Sequence, residues 1–346
     1  MSEVVLRVDN LVKHFRPAAG RSGSIVKAVD GVSLTLRAGE TFGLVGESGC
    51  GKSTVGRTAA RLIEPTSGTV SFRGEDITRY DSRRLRPIRR QVQFVFQDPY
   101  ASLNPRSTVR QLLTEPLRAQ GCYEGRASNV RVQEMLELVG LSPDHLNRFP
   151  HEFSGGQRQR IVIARALMLD PSLLILDEPV SALDVSIQAQ IINLLARLQR
   201  ELGVAYLLIA HDLSVVHHIC DQVAVMYLGR IVESGSRDEI YRYANHPYTQ
   251  ALFSAVPVSD PRLRGQQARI RVQGELPTPY DLPSGCHFRT RCWKADERCA
   301  DEDPALSVRG EARHPSACHY AAPLTSSTTN VSSSAHQPLD EGEGPR

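Results

Sequence analysis

The chain has 346 residues, 41% hydrophobic and 23% charged, a globular composition long enough for one large domain with an appendage or for two domains. A formal net charge of +3 makes no case for nucleic acid as the main partner. Residues 1–10 lack the basic start and apolar core of a signal peptide and no apolar run approaches membrane-spanning length, so a cytosolic protein is expected.

Residues 4–9 alternate as a short strand and 28–36 as a second, with Lys13-His14-Phe15 and the loop-like 17–24 between them. Phe15 suits a core position, or a stacking platform for adenine if a nucleotide binds nearby. Thr41-Phe42-Gly43-Leu44-Val45 reads as a buried strand and 55–62 has helical spacing. Between them lies Gly46-Glu47-Ser48-Gly49-Cys50-Gly51-Lys52-Ser53-Thr54. Strand, glycine loop and helix in that order make a phosphate cradle: glycines let backbone N–H groups converge on phosphate oxygens, and the helix start adds partial positive charge. Lys52 then reaches the terminal phosphates and the Ser53 hydroxyl ligates magnesium. Cys50 reads as a tolerated small residue of the loop, with no catalytic part, in a position before a helix that can lower a thiol pKa and favour alkylation.

Strands recur at 68–72 and 92–96, and the basic run 82–90 reads as a solvated face. Gln97-Asp98-Pro99 breaks the second of these strands, and 98–153 is mainly helical, an insertion between strands. Ser154 with Gln157 three residues on has capping-box spacing, a second helix N-terminus with glycine N–H groups, leading into a helix over 158–168. The apolar strand 173–179 ends in Asp177-Glu178, placing two carboxylates at the C-terminal edge of a sheet. One can hold magnesium and the next can polarise an attacking water. A helix over 187–201, a buried strand over 204–210 ending at His211-Asp212, and closing strands at 223–227 and 229–233 complete the alternation. It argues for a mostly parallel sheet with helices on both faces. Beyond 257 the composition turns to Pro, Gly, Arg and Cys, and 322–346 reads as a disordered tail.

The ordered set GESGCGKST at 46–54, the glutamine of FVFQDP at 94–99, FSGGQ at 153–157, LLILDEP at 173–179, SALD at 181–184 and AHD at 210–212 resembles the ATPase subunit of ATP-binding cassette (ABC) transporters over roughly residues 1–255. The resemblance implies an α/β P-loop NTPase core, with a mostly parallel sheet plus an antiparallel β subdomain, and an inserted helical subdomain at about 98–165. It implies ATP and Mg2+ as ligands, with Phe15 on adenine, Gly46 to Thr54 on the phosphates, and Ser53, Gln97 and Asp177 on magnesium. Glu178 becomes the general base, His211 the γ-phosphate switch, Gln97 the relay to the membrane subunits, and Asp184 part of the loop crossing a dimer interface. Ser154, Gly155, Gly156 and Gln157 serve the ATP of a facing subunit. Phe153 stands where many members carry leucine, a departure expected to have little effect.

NHPYTQAL at 245–252 and LPSGCHF at 282–288 resemble the C-terminal extension of oligopeptide and dipeptide importer ATPases, here residues 256–321, although Trp293 stands where relatives often have proline. This implies an importer energised from the cytoplasmic face of the plasma (inner) membrane. Its partners are two transmembrane permease subunits, a second ABC ATPase (a heterodimer, with a homodimer as alternative) and, indirectly, an extracytoplasmic peptide-binding protein. Nickel, glutathione or another small solute is the alternative cargo, and a soluble ABC ATPase of a cytosolic enzyme complex the alternative class. Four of the seven cysteines, Cys286, Cys292, Cys299 and Cys318, are separated by five, six and eighteen residues. That spacing names no metal by itself. The resemblance implies a [4Fe-4S] cluster first and Zn2+ second, with four unligated thiols as the remaining alternative.

Overall fold

In the computed structural model, which describes residues 3–16, 25–255, 270–275, 277–278, 280–309 and 313–323, two sheets share one central interface. The loop expected at 17–24 and nearly all of the tail expected at 322–346 lie outside the described residues. β1 (Val4–Phe15) and β2 (Val26–Arg37) are longer than the alternation suggested, because several bulges let the pairing run on through Lys13, His14 and Phe15. Next come β3 (Thr41–Val45), β4 (Ser67–Phe72), the two-residue β5 (Glu75–Asp76) and β6 (Val92–Val95). β7 (Leu173–Asp177), β8 (Ala205–Ala210), β9 (Gln222–Tyr227) and β10 (Arg230–Ser236) complete the set.

The antiparallel sheet runs β2-β1-β4-β5, and the larger sheet runs β10-β9-β3-β8-β7-β6. In the larger sheet only β10 is antiparallel to its neighbour. Strands β3, β7 and β8 are buried along their whole length, which is why they read as unbroken apolar runs. Side chains alternate between two cores. Leu173 and Ile175 of β7 join Ala205, Leu207 and Ile209 of β8 in packing toward the antiparallel sheet and the helix Lys52–Ala59. Leu174 and Leu176, with Tyr206 and Leu208, face the opposite core, shared with the helices Val109–Gln120, Arg126–Leu138 and Gly155–Leu167. The basic helix Ser82–Gln91 buries only Leu85 and Ile88 and leaves its arginines exposed, as a solvated face should. Among the described residues no helix is long and apolar enough to cross a membrane.

The C-terminal extension is bolted to the larger sheet through a buried carboxylate. Glu233 of β10 is fully buried and accepts the backbone N–H groups of Asn245 at 2.6 Å and His246 at 3.0 Å, while His314 Nε2 lies 2.6 Å from the same carboxylate. Phe288 of the extension packs edge-on against Tyr227 at 5.3 Å and tilted against Tyr248 at 5.4 Å. The seven cysteines are unbridged.

His246 caps the helix Pro247–Ser254, its Nδ1 accepting the Tyr248 N–H at 3.0 Å, and burial pushes its pKa down to about 4 from 6.5. Below the higher value the unfolded chain takes up a proton that the folded chain resists, so stability falls as pH drops from about 6.5 toward about 4. Melting temperature measured across that window is expected to decline more steeply for the wild-type chain than for His246→Asn, which keeps a capping acceptor without the titration. Equal slopes would remove His246 from the account.

Candidate functional site

The loop between β3 and the helix Lys52–Ala59 is built by close approach. A Cβ at Gly46 would stand 2.1 Å from the Met226 carbonyl oxygen, and one at Gly51 would stand 2.0 Å from that of Ala28. Only glycine fits there, and Gly51 also takes the left-handed conformation with φ 107°. Lys52 is buried, its Nζ donating to the carbonyls of Gly46 at 2.8 Å and Glu47 at 2.9 Å. Ser48 through Thr54 line a cleft of about 220 Å³ together with Val26, Ala28, Gln97, Glu178 and Leu282. Cys50 is buried, and burial raises its thiol pKa, against the lowering that its position before a helix allowed. Desolvation of the thiolate outweighs the Lys52 charge and the helix start.

Across the cleft the strand ends deliver the carboxylates. Ser53 Oγ donates to Asp177 Oδ1 at 2.7 Å. Asp177 is 1% exposed and burial pushes its carboxyl above the usual range, while Oδ2 has no hydrogen-bond partner and the Arg57 guanidinium stands 3.8 Å away. An orphaned buried carboxylate oxygen beside a serine hydroxyl is the donor chemistry that suits a hard cation such as Mg2+. Gln97 Nε2 donates to Glu178 Oε2 at 2.9 Å, and His211 Nδ1 lies 3.2 Å from the same oxygen. Glu178 itself sits at φ 48°, a left-handed conformation that side chains adopt at a cost of about 1–3 kcal/mol. Its N–H donates to the Ile209 carbonyl at 2.9 Å, which carries the β7–β8 pairing one residue past Asp177. Residues 46–54, 97, 177, 178 and 211 therefore converge from four separate stretches of chain.

Other candidates stay apart. Phe15 pairs with Val26 at the end of β1 and lies under the Lys13 ammonium at 5.1 Å; Val26, not Phe15, lines the cleft. Ser154 and Gln157 form the capping box expected of them, Ser154 Oγ accepting the Gln157 N–H at 3.3 Å and the Gln157 side chain accepting the Ser154 N–H at 3.0 Å. That helix start is not part of the cleft wall, and neither is Asp184, the N-cap residue of the helix Val185–Leu202, whose side chain makes no capping hydrogen bond. Cys286, Cys292, Cys299 and Cys318 line one small cavity, where burial pushes the Cys286 thiol up to about 12 and Cys318 to about 11. Even so, among the described residues no group of three or more His, Cys, Asp or Glu side chains is arranged to hold a metal ion. A larger cavity of about 580 Å³, lined by Asp30, Arg230, His287 and Asp303 among others, lies between β2 and the extension, away from the glycine loop.

Three contributors escaped the sequence. Arg57 lies one helical turn beyond Ser53, a spacing that could have flagged it. Leu282 and Arg291 reach the loop from more than two hundred residues away, Arg291 pairing with Glu47 at 2.9 Å, and nothing local signals either.

Similarity to known proteins shows the family. A family profile described as ABC transporter matches residues 29–181, and one described as oligopeptide/dipeptide transporter, C-terminal region, matches 232–299. The chain is 52% identical over 316 residues to the putative oligopeptide transport ATP-binding protein YkfD of Bacillus subtilis (strain 168), covering 91% of this chain and 95% of that one. It is 50% identical over 331 residues to the oligopeptide transport ATP-binding protein OppF of Escherichia coli (strain K12), covering 93% and 98%. Among solved structures, the dimeric ATP-binding cassette MJ0796 in a post-hydrolysis state with ADP and Pi superposes with a TM-score of 0.60 at 29% identity, covering 67% of this chain and 98% of that one. The chain belongs to the ABC transporter ATPase family, in the branch whose members carry the oligopeptide/dipeptide transporter C-terminal region.

Proposed function

We propose that this chain binds and hydrolyses ATP to drive an importer of oligopeptides or dipeptides, working peripherally on the cytoplasmic face of the plasma (inner) membrane. The observation that carries the catalytic part is the meeting of Gln97 and His211 on Glu178 Oε2 across the cleft from the glycine loop. The cargo and location rest on the C-terminal family match and on the names of the relatives.

In this reading the backbone of 46–54 cradles the phosphates and Lys52 exchanges its contacts with the Gly46 and Glu47 carbonyls for phosphate oxygens. Ser53, Gln97 and Asp177 are the residues that would hold magnesium, which would supply neutralisation of the phosphate charge. Glu178 orients the attacking water and accepts its proton. His211, bonded to the same carboxylate, reports the γ-phosphate, and Gln97 passes the state of the site to the permeases. The chain's own Ser154 to Gln157, a helix N-terminus with glycine N–H groups, serve the ATP of a facing cassette, and Asp184 lies in the loop that meets it. Adenine stacks near Phe15. The assembly comprises a second ABC ATPase, most simply a related chain in a heterodimer, two transmembrane permeases and an extracytoplasmic peptide-binding protein beyond them. The cassette occupies 1–255 with its helical subdomain at 98–165, and the extension occupies 256–321.

Glu178→Gln in the assembled complex should leave ATP binding intact and slow turnover by about 10²–10⁴-fold, the range for a positioned base. Steady-state phosphate release near the wild-type rate would refute the assigned base.

The finer cofactor reading places a [4Fe-4S] cluster at Cys286, Cys292, Cys299 and Cys318, with Zn2+ second. Its support is the number of thiols and the cavity they share. Anaerobically purified protein is expected to be brown with absorbance near about 400 nm, which Cys292→Ser abolishes; colourless protein with stoichiometric zinc would replace the cluster by zinc, and metal-free protein would remove both.

A further inference from the structure

The glycine loop carries a carboxylate in the wrong place for its task. Glu47 is its second residue, and a negative side chain beside a polyanion site repels the ligand by simple Coulomb interaction. The chain answers this from its far end. Arg291, on the short turn Arg289–Arg291 of the extension, approaches Glu47 with two nitrogens, Nη1 at 2.9 Å from Oε2 and Nη2 at 3.2 Å from Oε1. This fork is the strong, geometrically specific form of ion pairing. It is also sheltered: the arginine side chain is 12% exposed and the glutamate 30%.

Both partners are held. Arg291 Nη1 also donates to the Tyr227 hydroxyl at 3.4 Å, and the Arg291 N–H donates to the Phe288 carbonyl at 3.0 Å, anchoring the turn to the buried aromatic cluster. The Glu47 N–H donates to the Tyr248 hydroxyl at 2.8 Å, so both its backbone and its side chain are tied to residues beyond 240. Leu282 of the same extension lines the cleft. Burial alone would lower the Arg291 pKa, but Glu47 and Tyr227 reverse that and raise it, so the guanidinium stays charged.

We infer that Arg291 is a positioning residue for the phosphate loop: by neutralising Glu47 and fixing the loop's first turn, it makes nucleotide affinity a property of the C-terminal extension as well as of the cassette. The inference rests on the reading of 46–54 as the phosphate loop. It gives the extension a task independent of any metal. Arg291 adjoins Cys292, so a displacement of that turn would reach Glu47 through a single side chain.

The test is the dissociation constant for a fluorescent ATP analogue with Mg2+, measured on the full-length chain together with its melting temperature. Arg291→Ala should weaken binding about tenfold, the scale of one unscreened charge near the phosphates. Arg291→Lys, which keeps the charge and loses the fork, should fall between wild type and Arg291→Ala. Glu47→Gln with Arg291→Ala should return affinity to within about twofold of wild type, since the repulsion is gone. Glu47→Gln alone should bind at least as tightly as wild type. If Arg291→Ala binds ATP like wild type, or the double variant stays as weak as the single one, the inference fails. If Arg291→Ala does not fold, the Arg291→Lys and Glu47→Gln results decide. Lys52→Ala separates the two readings: wild-type affinity in that variant overturns the phosphate-loop assignment, whereas its loss alongside an unaffected Arg291→Ala overturns only the inference about Arg291.

Discussion

Everything around the site depends on how tightly the loop at 46–51 is packed against other backbone. A Cβ at Gly46 would collide with the Met226 carbonyl of β9, and one at Gly51 with the Ala28 carbonyl of β2. The Cys50 carbonyl accepts the Gly229 N–H at 2.9 Å. A loop held this closely cannot shift unless the antiparallel sheet, the β9–β10 hairpin and the extension shift with it. The constraint fixes the direction of the following helix, and with it the positions of Lys52, Ser53 and Arg57 relative to the carboxylates at the ends of β7 and β8.

Within that frame the charges are distributed unevenly. Asp177 is buried with one oxygen that has no hydrogen bond, Glu178 sits at positive φ with Gln97 and His211 on a single oxygen, and Glu47 is matched by Arg291. The first two are incompletely satisfied, which is how a site waiting for a cation and an anionic substrate should look. The third is fully paired, which suits a group whose charge would otherwise oppose binding. The extension contributes to that pairing from a body anchored by the buried Glu233 and the Tyr227–Tyr248–Phe288 cluster. In the proposed function the two carboxylates at 47 and 178 are thus opposite in purpose, one silenced and one poised.

Legibility followed the range of the interaction. The glycine loop, the apolar strands ending in carboxylates and the Ser154–Gln157 capping box are local patterns, and each formed where the residues indicated. The alternation at 4–9 understated β1, because bulges carried the pairing past residues whose pattern had lost its period. The raised Cys50 thiol was not legible, since a helix start is visible in sequence while the burial that overrides it is not. Glu178 at positive φ and the bond from Glu47 to Arg291 were invisible for a deeper reason. The first is imposed by the ladder around it, and the second spans 244 residues, a pairing no local chemistry announces.

In the proposed function the cleft built on Gly46 to Thr54 is half of a working site, completed by the Ser154-type helix end of a facing cassette. ATP turnover per chain, measured for the purified chain across a wide concentration range and again in complex with its partner cassette and permeases, tests this most directly. The account predicts tight nucleotide binding with slow turnover for the dilute chain and a large rise on assembly. Turnover by the isolated chain that is independent of concentration and equal to that of the complex would contradict it.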